Sequence, residues 1–108
     1  MIGSLKGTII QKNEKFILLE VTGVGYKVAI SPDTLSKIGN KTDGVFLYIH
    51  THVREDAFDL YGFIASEELA FFEMLLNVSG IGPRSALAIL GIASIETLRK
   101  AIGTGDIS

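Results

Sequence analysis

The hydrophobic period of this chain changes once, near residue 65, and that change limits its possible folds more than any other feature. Before it, short apolar runs alternate with glycine-containing turns, which is typical of strands. After it, apolar residues recur at helical spacing. A run of strands followed by a run of helices predicts a β + α chain of two small domains, covering residues 1–63 and 64–108.

The first part predicts five strands. The first covers residues 2–10, with glycines where a bulge or sharp bend could lie. Further strands are predicted at residues 16–21, 26–30, 45–53 and 60–63, with a short helical insert within residues 31–38. Five strands with glycine bends and one helical insert suggest a small closed OB-fold barrel. Turn spacing alone does not separate this from an SH3-like barrel.

The clearest strand, residues 45–53, alternates between two kinds of side chain. One face carries Val45, Leu47, Ile49 and Val53, and the other carries Phe46, Tyr48, His50 and His52. The two histidines could bind a metal, but the sequence supplies no convincing third ligand, so we predict no metal site. The two aromatic rings could stack on bases, yet no Lys or Arg is interleaved along the strand, which favours packing.

The second part predicts three helices. Ser66 suits an N-cap, followed by an apolar stripe of Leu69, Phe72, Leu75 and Leu76. A second helix is predicted from Pro83 to about residue 90, closed by Gly91, and a third from residue 95 to 102.

Between the first two helices lies Gly80-Ile81-Gly82-Pro83-Arg84. We expect the two glycines to allow positive φ and to leave no Cβ in the way of a ligand. Pro83 suits the first helical position, and the free amides of that helix start would form a seat for an anion such as phosphate. An ordinary tight corner in a helical bundle is the alternative. The spacing of residues 75–89 resembles the helix–hairpin–helix motif of proteins that bind DNA without reading its sequence.

Charge and composition restrict the function further. The net charge is −2, with seven basic and seven acidic residues up to Gly62, so no basic surface of the usual DNA-binding kind is expected. DNA contact would therefore depend on oriented amides. There is no cysteine and no Walker-type phosphate loop, which excludes a thiol nucleophile and an ATPase. Neither a signal peptide nor an apolar run long enough for a bilayer is evident, and we expect a cytoplasmic protein.

Residues 54–59 are predicted to project as a polar hairpin tip, with adjacent acids at Glu55 and Asp56. Such acids are most often solvated turn residues. With Asp59 they could instead hold Mg²⁺ for phosphodiester hydrolysis, although no second acidic cluster completes that site. A third possibility is that their charge repels DNA phosphates and keeps strands apart.

Four segments together resemble the bacterial RuvA family of Holliday-junction-binding subunits: residues 1–7, 21–26, 53–63 and 80–90. The resemblance implies an OB-fold domain and a helix–hairpin–helix domain, assembled as a homotetramer around a four-way junction in recombination and DNA repair. It implies DNA contacts from Ser79, Gly80, Ile81, Gly82, Arg84 and Ser85, and an acidic pin formed by Glu55 and Asp56. It implies no catalytic residue, no metal and no cofactor, with a RuvB-type ATPase motor and a RuvC-type resolvase as partners.

The family pattern also contains a second helix–hairpin–helix and a C-terminal domain that contacts the motor. We expect neither to be present in these 108 residues, so the motor contact should be lost and DNA binding weakened. The predicted function is non-enzymatic recognition of junction shape. The alternatives are a general helix–hairpin–helix duplex binder and a metal-dependent junction nuclease.

Overall fold

A closed five-stranded barrel with helices packed against it forms the structure, a computed structural model that describes residues 1–78 and 80–92. The barrel strands are β1 (Ser4–Lys12), β2 (Phe16–Val21), β3 (Val24–Ala29), β4 (Val45–Arg54) and β5 (Ala57–Phe63). The helices are α1 (Pro32–Ile38), α2 (Ser66–Leu76) and α3 (Pro83–Ile92). The predicted β + α architecture is confirmed, whereas the helix predicted over residues 95–102 lies outside the described residues.

The order of strands around the barrel is β1-β2-β3-β5-β4. Pairing is antiparallel except between β3 and β5, which run parallel with Val28 opposite Leu60. The barrel closes where β1 pairs with β4, Leu5 lying opposite Leu47. α1 lies between β3 and β4 in the chain. This closed five-stranded arrangement confirms the OB-type barrel and removes the SH3-like alternative.

Four strands differ from their predicted bounds. β3 covers Val24–Ala29 rather than residues 26–30, and β4 ends at Arg54 rather than residue 53. β1 covers Ser4–Lys12 rather than residues 2–10, and its bulge lies between Ile9 and Gln11 rather than at a glycine. β5 starts at Ala57 rather than residue 60, because the antiparallel ladder with β4 continues to the pair Arg54–Ala57. Ala57, Phe58 and Asp59 therefore belong to the strand, since this end of the hairpin extends beyond the barrel.

Two clusters of buried side chains form the core. The first fills the barrel and contains Ile9, Ile17, Leu19, Val28, Ile30, Ile38, Val45, Leu47, Ile49 and Leu60. The second lies beneath the helices and contains Tyr61, Phe63, Phe71, Phe72, Leu75, Ala86 and Leu90. β5 contributes to both clusters, so its last four residues are all buried and do not alternate. This strand therefore joins the barrel to the helical layer.

α2 differs in detail from its prediction. Ala65, rather than Ser66, occupies the N-cap position, and it makes no side-chain capping bond. Ser66 instead has helical geometry, a difference of one residue at a helix end. Phe71 and Glu68 are buried in addition to Phe72 and Leu75. Glu68, in the first turn of α2, faces Lys37 of α1, with Oε1 and Nζ 3.5 Å apart.

α3 also continues past its predicted end. It reaches Ile92, so Gly91 lies inside the helix and does not close it. A Cβ at Gly91 would stand 3.2 Å from Cδ of Pro32 at the start of α1. The glycine therefore serves close packing between α3 and α1 rather than termination.

The outer face of β4 has two different environments. His50 contacts Glu73 of α2, its Nδ1 lying 2.8 Å from Oε2, and its ring meets Phe72 edge-on at 5.2 Å. Phe46 remains 43% exposed, and its ring contacts that of Tyr48 at 5.0 Å. Neither Phe46 nor Tyr48 belongs to the cluster beneath the helices. His50 therefore connects the barrel to α2.

Candidate nucleic-acid interface

A short hydrogen-bonded turn connects α2 to α3. The amide of Val78 donates to Leu75 O at 3.0 Å and ends α2, and the amide of Ile81 donates back to Val78 O at 3.1 Å. The partly buried Ile81 side chain packs against the cluster beneath the helices. Both interactions of Ile81 point inward, so this residue holds the turn in place. Ser79, which was predicted to contact DNA, lies outside the described residues.

The two glycines of the turn play different roles. Gly80 has φ +86°, a conformation that glycine adopts without steric cost. Gly82 was also expected to allow positive φ, but it does not take that conformation. At both positions a Cβ would meet no atom of residues 1–78 and 80–92 within 4 Å. The surface beside the turn is therefore open, and a ligand can approach the backbone of Gly80 and Gly82.

α3 begins at Pro83, as predicted. Its first internal bond runs from the amide of Ala86 to Gly82 O at 2.9 Å. Among the described residues, the backbone amides of Arg84 and Ser85 have no acceptor, as is usual for the first turn of a helix. Both residues are exposed. This helix start therefore suits a phosphate. It offers two free amides, the positive end of the helix dipole and the Arg84 guanidinium.

Glu55 and Asp56 form the turn between β4 and β5, and both are exposed. The strands that carry them extend beyond the barrel: the cross-strand partners Val53 and Phe58 are 62% and 59% exposed. Alternation had placed Val53 with the buried residues of β4. It is exposed because this part of β4 extends past the end of the barrel, where there is no interior to bury it. The two acids therefore stand at the tip of a projecting hairpin.

The third acid of this hairpin, Asp59, has a partner of its own. Its Oδ2 lies 3.7 Å from the Arg54 guanidinium on the neighbouring strand. Over residues 1–78 and 80–92, no group of three or more His, Cys, Asp or Glu side chains is arranged to hold a metal ion. The geometry of the described residues therefore gives no support to the nuclease alternative, which needed Glu55, Asp56 and Asp59 together.

The pKa of Tyr61 is affected by charges from both the hairpin and α3. Burial raises the pKa of its hydroxyl above the ordinary 10.0, and the Asp59 carboxylate raises this pKa further. The positive charges of Arg84 and Arg54 act in the opposite direction and lower it. Asp59, Tyr61 and Arg84 line the same groove, so the base of the acidic hairpin and the start of α3 lie on the same side of the molecule.

Sequence reasoning missed two features: the exposed ring of Phe58 and the contact between His50 and Glu73. Phe58 was treated as part of a polar tip, although an aromatic residue in strand register opposite Val53 signals an apolar hairpin face. The contact between His50 and Glu73, which fixes α2 on β4, has no local signal, because the two residues are 23 positions apart.

No helix in the described part of the chain is long and apolar enough to cross a membrane.

Comparison with known proteins gives one consistent result. The family model described as RuvA N terminal domain matches residues 1–62, and the model described as SAM-like Helix-hairpin-helix tandem matches residues 72–107. Three relatives carry the name Holliday junction branch migration complex subunit RuvA. Those from Halothermothrix orenii, Pelobacter propionicus and Clostridium beijerinckii are 48%, 49% and 41% identical, over 100%, 99% and 94% of this chain. The chain covers 55%, 54% and 52% of their lengths, so it spans about half of the relatives it matches.

Proposed function

This chain belongs to the RuvA family, and we propose that it is a non-catalytic subunit that binds four-way DNA junctions by their shape. The observation that carries the proposal is the combination of an open phosphate seat at the start of α3 with an acidic tip on the same side of the molecule. The relatives are named as subunits of a Holliday junction branch migration complex. Junction DNA is the substrate this name suggests.

The seat supports binding that does not depend on base sequence. The amides of Arg84 and Ser85 and the guanidinium of Arg84 can bond a phosphate, and phosphates carry no sequence information. With Gly80 and Gly82 leaving the surface open, the DNA backbone can come close to the turn. We assign these residues, with Ser79 and with Ile81 as the support of the turn, to the DNA-binding site.

The acidic hairpin supports preference for a junction over a duplex. Glu55 and Asp56 carry negative charge at an exposed tip, where they repel phosphates at short range. A continuous duplex has no gap for such a tip, whereas the centre of an open four-way junction has one. We therefore propose that these two residues form a pin at the junction centre.

The proposal includes an assembly. One seat per subunit contributes little affinity, because the chain has a net charge of −2 and no excess of basic residues. Four copies around one centre would multiply the seats and place their pins together. We propose a cytoplasmic homotetramer of subunits with domains at residues 1–63 and 64–108. In the complete complex it would work with a RuvB-type motor and a RuvC-type resolvase in recombination and repair.

A gel-shift comparison of a four-way junction with a linear duplex of equal length tests the proposal. We expect the junction to bind more tightly. Gly82→Val should weaken junction binding at least about ten-fold, because a branched side chain blocks access to amides that bond a charged group. Its fold should persist, since the position is open.

Gly3→Val is the matched control, because a Cβ there also meets nothing within 4 Å. It should bind junctions like the unmodified chain. Equal affinity of the unmodified chain for junction and duplex would refute shape recognition. Unchanged binding by Gly82→Val would reduce the turn to an ordinary corner.

A further inference from the structure

A groove of about 660 Å³ lies between α3 and the barrel. Arg84, at the start of α3, borders it on one side, and Phe58, near the tip of the acidic hairpin, borders it on another. The groove therefore connects the two features assigned above to DNA binding. Its volume lies within the range of pockets that enclose a molecule of nucleotide size, about 300–1,000 Å³.

The charges around the groove favour an anion. Lys15, Lys27 and Arg84 line it, and none of the three has an ion pair within residues 1–78 and 80–92. Two acids also line it, Glu14 and Asp59. Asp59 is already balanced by Arg54, at 3.7 Å. The remaining balance is three cations against one carboxylate, in a chain whose net charge is negative.

The same groove has aromatic walls. Phe16, Phe58 and Tyr61 line it. The ring of Phe16 is covered by Lys27, whose Nζ lies 4.5 Å from the ring centroid. Phe58 is different, because it is 59% exposed and no ring or cation of the described residues covers it. An open aromatic face beside unpaired cations is the arrangement on which single-stranded DNA stacks its bases.

We propose that this groove binds an unstacked nucleotide of the DNA strand, with its base on Phe58 and its phosphates near Lys15 and Lys27. This inference rests on the proposed function and extends it. At the centre of an open junction the pin interrupts base stacking, and the groove begins next to the pin. The groove then receives the nucleotide that has lost its stacking partner and directs its strand towards the seat at Arg84.

Phe58→Ala and the double variant Lys15→Gln/Lys27→Gln test the proposal. The probes are a short oligothymidylate and a four-way junction with 2-aminopurine beside the crossover, both followed by fluorescence. We expect Phe58→Ala to weaken oligothymidylate binding about five-fold or more, as loss of one base–aromatic stack does. The double variant should reduce the slope of log K against log salt by about 1.4 for the oligothymidylate, about 0.7 for each lost phosphate contact.

Matched controls use residues outside the groove. Phe46→Ala removes another exposed ring, and Lys6→Gln/Lys41→Gln removes the same charge from exposed positions. Both should leave the oligothymidylate affinity unchanged. With the unmodified chain, 2-aminopurine at the crossover should become brighter on binding, because the pin unstacks it. The size of that change should differ with Phe58→Ala and should stay the same with Phe46→Ala.

The outcomes separate this inference from the proposed function. If the unmodified chain does not prefer junctions, the proposed function fails. If it prefers them but Phe58→Ala and the double lysine variant bind both probes as it does, the groove does not bind a nucleotide. Phe58→Ala could also have a lower solution mass and bind oligothymidylate as before. The groove would then be a contact between copies of the chain, which also overturns the inference.

Discussion

The environment of Tyr61 is formed by both the barrel and the helical layer. It belongs to the barrel strand β5, yet its ring lies 5.3 Å from that of Phe72 in the helical layer. Its backbone faces Ala29 across the parallel pair of strands. Burial and Asp59 favour the neutral hydroxyl, so their combined effect raises the pKa above 10.0. Ionising Tyr61 therefore costs more in the folded chain than in the unfolded chain.

Folding stability should consequently decrease as the pH rises above about 10, where unfolded Tyr61 loses its proton before folded Tyr61 does. Tyr61→Phe should lose less stability than the unmodified chain between about pH 9.5 and pH 11, as measured by urea unfolding. Lys37 also makes folding stability decrease at high pH, because its hydrogen bond to Asp33 raises its pKa above 10.5. This contribution is the same in both proteins. Parallel stability curves for the two proteins would contradict this assignment.

At the scale of elements, the β4–β5 hairpin combines two properties that are usually separate. Its lower part belongs to the closed barrel, where Ile49 pairs with Gly62. Its upper part is a free ribbon, with an apolar pair at Val53 and Phe58 below two acids. A short ribbon continuous with a barrel is held rigidly at its base, so the position of its tip is set by the barrel rather than by a flexible loop.

Reversing the charge of this tip should change how the chain binds DNA. Glu55→Lys with Asp56→Lys should tighten binding to linear duplex by the order of ten-fold at low salt, because repulsion of phosphates becomes attraction. Junction preference should fall at the same time. Fluorescence anisotropy with both DNAs measures the two effects.

The matched control is Glu20→Lys with Asp43→Lys, which makes the same charge change at two exposed barrel positions. A control that tightens duplex binding equally would mean that net charge, and not the position of the tip, decides the result.

The elements also show where sequence reasoning succeeds. The hairpin, the barrel and the start of α3 at Pro83 were predictable, because alternation, glycine placement and proline placement are local signals. The burial of Glu68 was not, since an acid in the first turn of a helix usually faces solvent and its contact with Lys37 joins distant segments. Gly91 was misread for a similar reason: the neighbour that requires a glycine there, Pro32, is far away in the chain.

For the whole molecule, the proposed affinity for DNA depends on several copies of the chain rather than on net charge. The chain carries 10 basic and 12 acidic residues, so its overall field does not attract DNA. A single seat with two amides and one arginine is a small site. The proposed function therefore depends on several copies binding at once, which makes the oligomeric state its most direct physical requirement.

We expect the chain bound to a four-way junction to have a protein mass near four times 11.6 kDa. Native mass spectrometry or sedimentation equilibrium with and without junction DNA measures it. Linear duplex of the same length is the control and should not produce a fourfold assembly. A complex with one protein copy per junction would contradict the shared pin.

The way the barrel closes has a consequence for the chain during its synthesis. β1 needs β4 as a partner, and the hydroxyl of Thr51 accepts from the amide of Ile2 at 3.1 Å while donating to its carbonyl at 2.7 Å. β3 must wait longer, until β5 has left the ribosome. Up to that moment β1–β2–β3 is an open meander with two unpaired edges, the kind of surface on which nascent chains aggregate. Leu60 and Tyr61, which pair with Val28 and Ala29, thus complete the protection of strands made much earlier.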